Sequence, residues 1–217
     1  MLEEFQWVGK ELQALGLIGS HSGNMSIRKD DRVFITRKGV RLANLKEGDI
    51  IEVALDDVAP DDQMASEELV VHRAVYKATP ALAIVHAHPA NAIAVSITDN
   101  RIQPVDAEGT HSIKSIPVVW ARELIGSEEI AKLLPQFISE NNPVVVIKGH
   151  GSIAIGKTLE EALHWTSVLE TSCHILALTR MLGHKTQAQQ NRDQYEKKNI
   201  RPQPRHVGII PTRGSDF

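Results

Sequence analysis

Two short apolar segments constrain this chain's fold more than any other feature. Val144–Ile147 is wholly apolar and bounded by Pro143 and Lys148. A run that short, if buried, reads as an interior β-strand rather than a helix. Ala81–His88 alternates weakly, is apolar enough for a second buried strand, and is ended by Pro89. Helical and extended patterns alternate around these two. Residues 2–16 carry Leu2, Phe5, Val8, Leu12 and Leu15 near helical spacing, with Gly16 as a stop. Residues 24–29 and 32–36 predict a hairpin around Asp30-Asp31, and 49–54 a further strand. Ser66 precedes a helical pattern (Leu69, Val70, Ala74, Val75) that stops before Pro80, and a short helix is expected after Pro89. Later come a strand at 116–119 and a helix at 127–141, with Glu128 and Glu129 at its positive end. A strand at 152–156 and a long helix at 159–182, stopped by Gly183, follow. The stretch PVDAEGTHS reads as a loop. Strands mixed with helices, with a hairpin near the start, predict α/β or α+β rather than an all-parallel sheet.

Composition sets the bounds. A chain of 217 residues, 42% apolar and 24% charged, fits one globular domain. A net charge of −3 gives no overall attraction to nucleic acid or anionic membrane. No stretch approaches the roughly 20 apolar residues that span a bilayer. The opening MLEEFQWVGKEL is acidic where a signal peptide would be basic. Cys173, the single cysteine, cannot form an internal disulfide and reads as a small buried hydrophobe in the last helix. A cytoplasmic location is the expectation. From His184 the chain turns polar and basic, with seven Lys/Arg against three Asp/Glu. Residues 184–217 are therefore expected to be an extended or partly disordered tail, and residues 1–183 the domain.

Ten histidines are many for this length. In IVHAHP, His86 and His88 stand two apart, so a strand aims both imidazoles to one face, as metal binding requires. Alone, the pair reads more simply as two polar residues at a strand end. His150 shifts the balance. It follows the second buried strand between two glycines in KGHGSIAIG, where the backbone can turn sharply and approach a ligand. Three histidines from two buried strands would leave a coordination position open, the pattern of a catalytic site. Glu67, expected in the first turn of the helix after Ser66, is placed to reach the metal or act as a base, although acidic residues favour helix starts anyway. His72, His164 and His174 fall in predicted helices as packing or surface residues. SHSGNMS (20–26) and Thr36-Arg37-Lys38-Gly39 are turn segments whose backbone N–H groups, with Arg37 or Lys38, suit an anion. Asp106 and Glu108 could also reach a site as acid or base.

In this order the motifs SGNMS, ITRKG, SEELVVH, VHAHP and KGHGSIAIGKTLEEAL resemble the class II sugar-phosphate aldolases and adducin-like domains, and most of all the fuculose-phosphate type. The resemblance runs from about Gly16 to about Leu182. It implies a three-layer α/β/α single domain around a mainly antiparallel sheet, and a homotetramer with active sites between subunits. It implies a divalent ion, zinc with manganese or cobalt as alternatives, held by Glu67, His86, His88 and His150. It implies a small phosphorylated sugar as substrate, its phosphate contacted by Asn24, Thr36, Gly39 and Ser66. The expected activity is cleavage of a ketose 1-phosphate to dihydroxyacetone phosphate and an aldehyde, with Glu67 carrying a proton. The same superfamily includes epimerases, dehydratases, decarboxylases and the non-catalytic adducin-like domain, which remain alternative readings. The chain departs from the family pattern in Ala65-Ser66 (usually Ser-Ser) and in Arg37-Lys38 (usually Pro and a hydroxyl residue). It has no tyrosine in Val105–Gly109, and Tyr195 is the one C-terminal candidate for an assisting tyrosine.

Overall fold

A computed structural model describes residues 1–183. The expected tail at 184–217, with Tyr195, lies outside the described residues. In chain order the elements are α1 (Leu2–Ala14), β1 (Asn24–Lys29), β2 (Arg32–Thr36), β3 (Ile50–Ala54), α2 (Leu69–Ala78), β4 (Ala83–Ala87) and α3 (Ala90–Thr98). They continue with β5 (Arg101–Ile102), α4 (Ala107–Ser112), β6 (Ile116–Val119), α5 (Glu128–Leu133), β7 (Val144–Ile147), β8 (Gly151–Gly156) and α6 (Leu159–Met181). The strands form one sheet in the order β3-β2-β1-β4-β8-β7-β6-β5. Every adjacent pair is antiparallel except β6 and β7. The two apolar runs, β4 and β7, are interior strands with every residue buried.

Strand alternation divides the core in two. Met25, Val85, Val144, Val146 and Ala154 point to one face, under Phe5, Val8 and Leu12 of α1, Ala92 and Val95 of α3, and Leu159 to Leu176 of α6. Val33, Ile35, Ile84, Val145, Ile147 and Ile153 point to the other, under Leu69, Val71 and Val75 of α2 and Ile130 of α5. This is the three-layer α/β/α arrangement around a mostly antiparallel sheet. His86 has the parity of Ile84 and faces the α2 layer. Cys173 is fully buried in α6, where burial pushes its thiol pKa up and leaves it unreactive. Among the described residues, no helix is long and apolar enough to cross a membrane.

Three local expectations are corrected. The helix expected at 127–141 stops at Leu133 and tightens into a 3-10 turn, Leu134–Gln136. Pro135 has no N–H to donate back along the helix and ends the α ladder. The stretch read as a loop, PVDAEGTHS, contains α4; Asp106 caps it by accepting a 2.7 Å hydrogen bond from the Gly109 N–H. Finally, α2 begins at Leu69 with Glu68 as its cap residue, so Glu67 lies in the turn before the helix and not in its first turn.

A three-histidine centre beside a buried carboxylate

The sheet register builds the site. His86, near the end of β4, lies opposite Asn24 of β1 and Ile153 of β8. His88 follows two residues on, just past the strand. His150 stands in the turn between β7 and β8, its backbone N–H donating to Ile147 O. Gly151 makes this approach possible. A Cβ there would lie 2.4 Å from Ala87 O and 3.0–3.1 Å from the His88 and His86 rings. The three imidazoles converge with centroids 4.9, 4.9 and 5.1 Å apart, and one ring nitrogen from each lies within 4.8 Å of the others.

These residues fit a metal ion. The Nδ1–H of His86 donates to Ser152 O at 3.0 Å. This fixes the tautomer and leaves the Nε2 lone pair facing the cluster. That Nε2 lies 3.0 Å from His88 Nε2, and His150 Nδ1 is buried without a protein partner. Burial holds all three rings neutral, the state that ligates. It lowers His86 well below the usual imidazole value, helped by His88 and His150; it brings His88 down to about 4 and depresses His150. Among the described residues no carboxylate joins the cluster.

The histidines form the floor of a cleft of about 180 Å³ shared with Asn24, Arg37, Lys38, Gly39, Ser66, Glu67 and Glu68. Asn24, Gly39 and Ser66, expected as phosphate contacts, thus surround it. Thr36 does not line it: this residue is fully buried and its hydroxyl accepts from the Met25 N–H at 3.2 Å. The two adjacent glutamates diverge. Glu67 is half-exposed and ion-paired with Lys38. Glu68 is only 3% exposed. One of its oxygens, Oε1, accepts from the Gly126 N–H at 2.9 Å, while Oε2 is buried without a partner. Burial raises the Glu68 pKa, the Gly126 hydrogen bond opposes the rise, and Glu67 adds to it. Gly126 is required here. Its φ is +53°, and a Cβ would meet Glu67 O at 2.4 Å. Asp106, considered as a site residue, is occupied in capping α4, and neither it nor Glu108 lines the cleft.

Sequence reasoning passed over His72 as a packing residue. It is fully buried beneath the site, with Nδ1 2.7 Å from Ser26 Oγ, which is itself 2.7 Å from Tyr76 Oη. Burial lowers its pKa to about 3. An imidazole in the unfolded chain titrates near 6.5. Between these values the unfolded state binds the extra proton, so stability falls as pH falls. In metal-free protein, His72→Gln is expected to remove this contribution. The slope of unfolding free energy against pH, between about pH 4 and 5.5, should drop by about 1.4 kcal/mol per pH unit. Urea titrations across that range measure it; an unchanged slope would mean His72 is protonated in the folded state.

Fold and site together define an α/β domain whose three converging histidines could hold a metal ion. The family model for the Class II Aldolase and Adducin N-terminal domain matches residues 3–177. The chain therefore belongs to the class II aldolase and adducin family. It is 30% identical over 167 residues to the L-fuculose phosphate aldolase of Methanocaldococcus jannaschii, covering 76% of this chain and 89% of that protein. The crystal structure of L-fuculose-1-phosphate aldolase from Thermus thermophilus superimposes with a TM-score of 0.79 at 37% identity, covering 83% of this chain and 94% of that one. A further relative is the "probable bifunctional methylthioribose-1-phosphate isomerase/methylthioribulose-1-phosphate dehydratase" of Nocardia farcinica. It is 29% identical over 189 residues, 78% of this chain, and the match spans about a third (34%) of that longer protein.

Proposed function

We propose that this protein is a divalent-metal aldolase that cleaves a ketose 1-phosphate, of the fuculose 1-phosphate kind, to dihydroxyacetone phosphate and an aldehyde. The observation that carries the reading is the convergence of three neutral imidazoles with a buried carboxylate in one cleft. His86, His88 and His150 would hold the ion; their nitrogen donors suit zinc, with manganese or cobalt as alternatives. The bound ion would supply a Lewis acid for the substrate carbonyl and for the negative charge left by carbon–carbon cleavage. The phosphate is assigned to the side of the cleft formed by Asn24, Gly39 and Ser66, with Arg37 and Lys38 adding charge. The proton-carrying role expected for Glu67 is assigned to Glu68. As the bond between carbons 3 and 4 breaks, the proton of the carbon-4 hydroxyl passes to a base, the aldehyde leaves and an enediolate remains. Glu68, buried and with Oε2 unpartnered, returns a proton to carbon 3 of the enediolate. Its Oε1 stays on the Gly126 N–H, which fixes the carboxyl in place.

The same reading expects a homotetramer in the cytoplasm, with active sites at the subunit contacts. Ile125 on the cleft wall and nearby Trp120 are 66% and 62% exposed, and such a contact would cover them. The Nocardia relative's name supports a second reading, dehydration of a ketose 1-phosphate. A scaffold role without catalysis is disfavoured, because interaction alone does not require three converging ligands. The test is metal content together with a ketose 1-phosphate panel assayed for dihydroxyacetone phosphate. Chelator-sensitive release supports the aldolase. Water loss without release selects the dehydratase. Absence of metal after reconstitution overturns both.

A further inference from the structure

Glu67 is left without a role in proton transfer, yet it lines the cleft and its carboxylate is ion-paired with Lys38, which also lines it. Both side chains are more than half exposed, 56% and 59% respectively. An ion pair so exposed contributes little to stability and is readily exchanged for another anion. Around Lys38 stand Arg37, Gly39 and Ser66, the groups to which the phosphate is assigned above. The Glu67 carboxylate therefore already occupies the cation that an incoming phosphate would use.

We infer that Glu67 is an internal competitor for the anion subsite: it holds Lys38 until a phosphomonoester displaces it, and so sets the affinity for the phosphorylated end of the substrate. This rests on the placement of the phosphate proposed above. A dianionic phosphate gains more from Lys38 than a single carboxylate does, so the exchange favours phosphomonoesters over singly charged groups. The displaced Glu67 turns into solvent and leaves the hydrogen bond from the Gly126 N–H to Glu68 in place. Inorganic phosphate by itself is held weakly, and firm binding needs the rest of the substrate.

Calorimetric titration of the full chain with inorganic phosphate at about pH 8 tests this, with and without chelator so that binding at the histidines is separated from binding at the rim. Glu67→Gln is expected to tighten phosphate binding about three- to tenfold in both conditions. Lys38→Met is expected to weaken it, and in the double variant the gain from Glu67→Gln should vanish. The inference is overturned if Glu67→Gln leaves phosphate affinity unchanged or lower, or if the gain survives replacement of Lys38. Turnover assays run in parallel separate this from the proposed reaction. Tighter phosphate binding in Glu67→Gln without turnover of any ketose 1-phosphate would sink the reaction and keep the competitor. Turnover with no change in phosphate affinity would do the reverse.

Discussion

Glu68→Gln is expected to lower turnover by a factor of about 10² to 10⁴ while leaving folding and metal content intact. Gln keeps the volume of Glu, and its side-chain oxygen can still accept from the Gly126 N–H at the position held by Oε1. What it loses is the exchangeable proton. Glu67→Gln, one residue away, is expected to change substrate affinity but to keep the rate constant of cleavage within about threefold, because it alters the anion subsite and not a proton donor. The contrast within this adjacent pair is the informative result. Rate constants for cleavage measured side by side decide it. If Glu67→Gln is the crippled variant and Glu68→Gln turns over normally, the assignment of the two carboxylates is inverted.

His86→Ala is expected to remove metal binding and reduce activity by at least about a thousandfold. Of the three imidazoles His86 is the most deeply placed, 2% exposed, with its tautomer fixed by Ser152 O. Removing it leaves two donors on separate loops and a void among β1, β4 and β8. Metal content after dialysis and the cleavage rate report the two consequences separately. Activity that survives with metal absent would detach the chemistry from the histidine centre.

The three histidines were legible from sequence for a specific reason. Two of them sit at the end of a run whose burial and parity are dictated by its own apolar residues, and the third sits between glycines at the end of another such run. The interior strands themselves needed only hydrophobicity and their Pro and Gly boundaries. The error at α5 came from reading through Pro135, and that at α4 from passing over Asp106, whose capping contact is local. Both signals were present in the chain. The choice between Glu67 and Glu68 was of another kind. Two identical residues at the threshold of a helix differ by about 100° of rotation, and no local pattern says which one turns inward.

What the sequence determined by itself is therefore what short-range physics controls: which segments are strands and helices, which strands are interior, and which imidazoles share a face. Tertiary structure decided the rest. The 122–127 segment packs on the turn before α2 and offers the Gly126 N–H to Glu68 while Lys38, from the turn after β2, takes Glu67. Ser26 of β1 and Tyr76 of α2 enclose His72. Thr36 is drawn out of the cleft by Met25 on the neighbouring strand. In each case a polar group finds its partner tens of residues away or across a strand pair. Only the register of the sheet and the docking of α2 on it fix that partner, because a buried polar group takes whichever donor or acceptor the fold brings within reach.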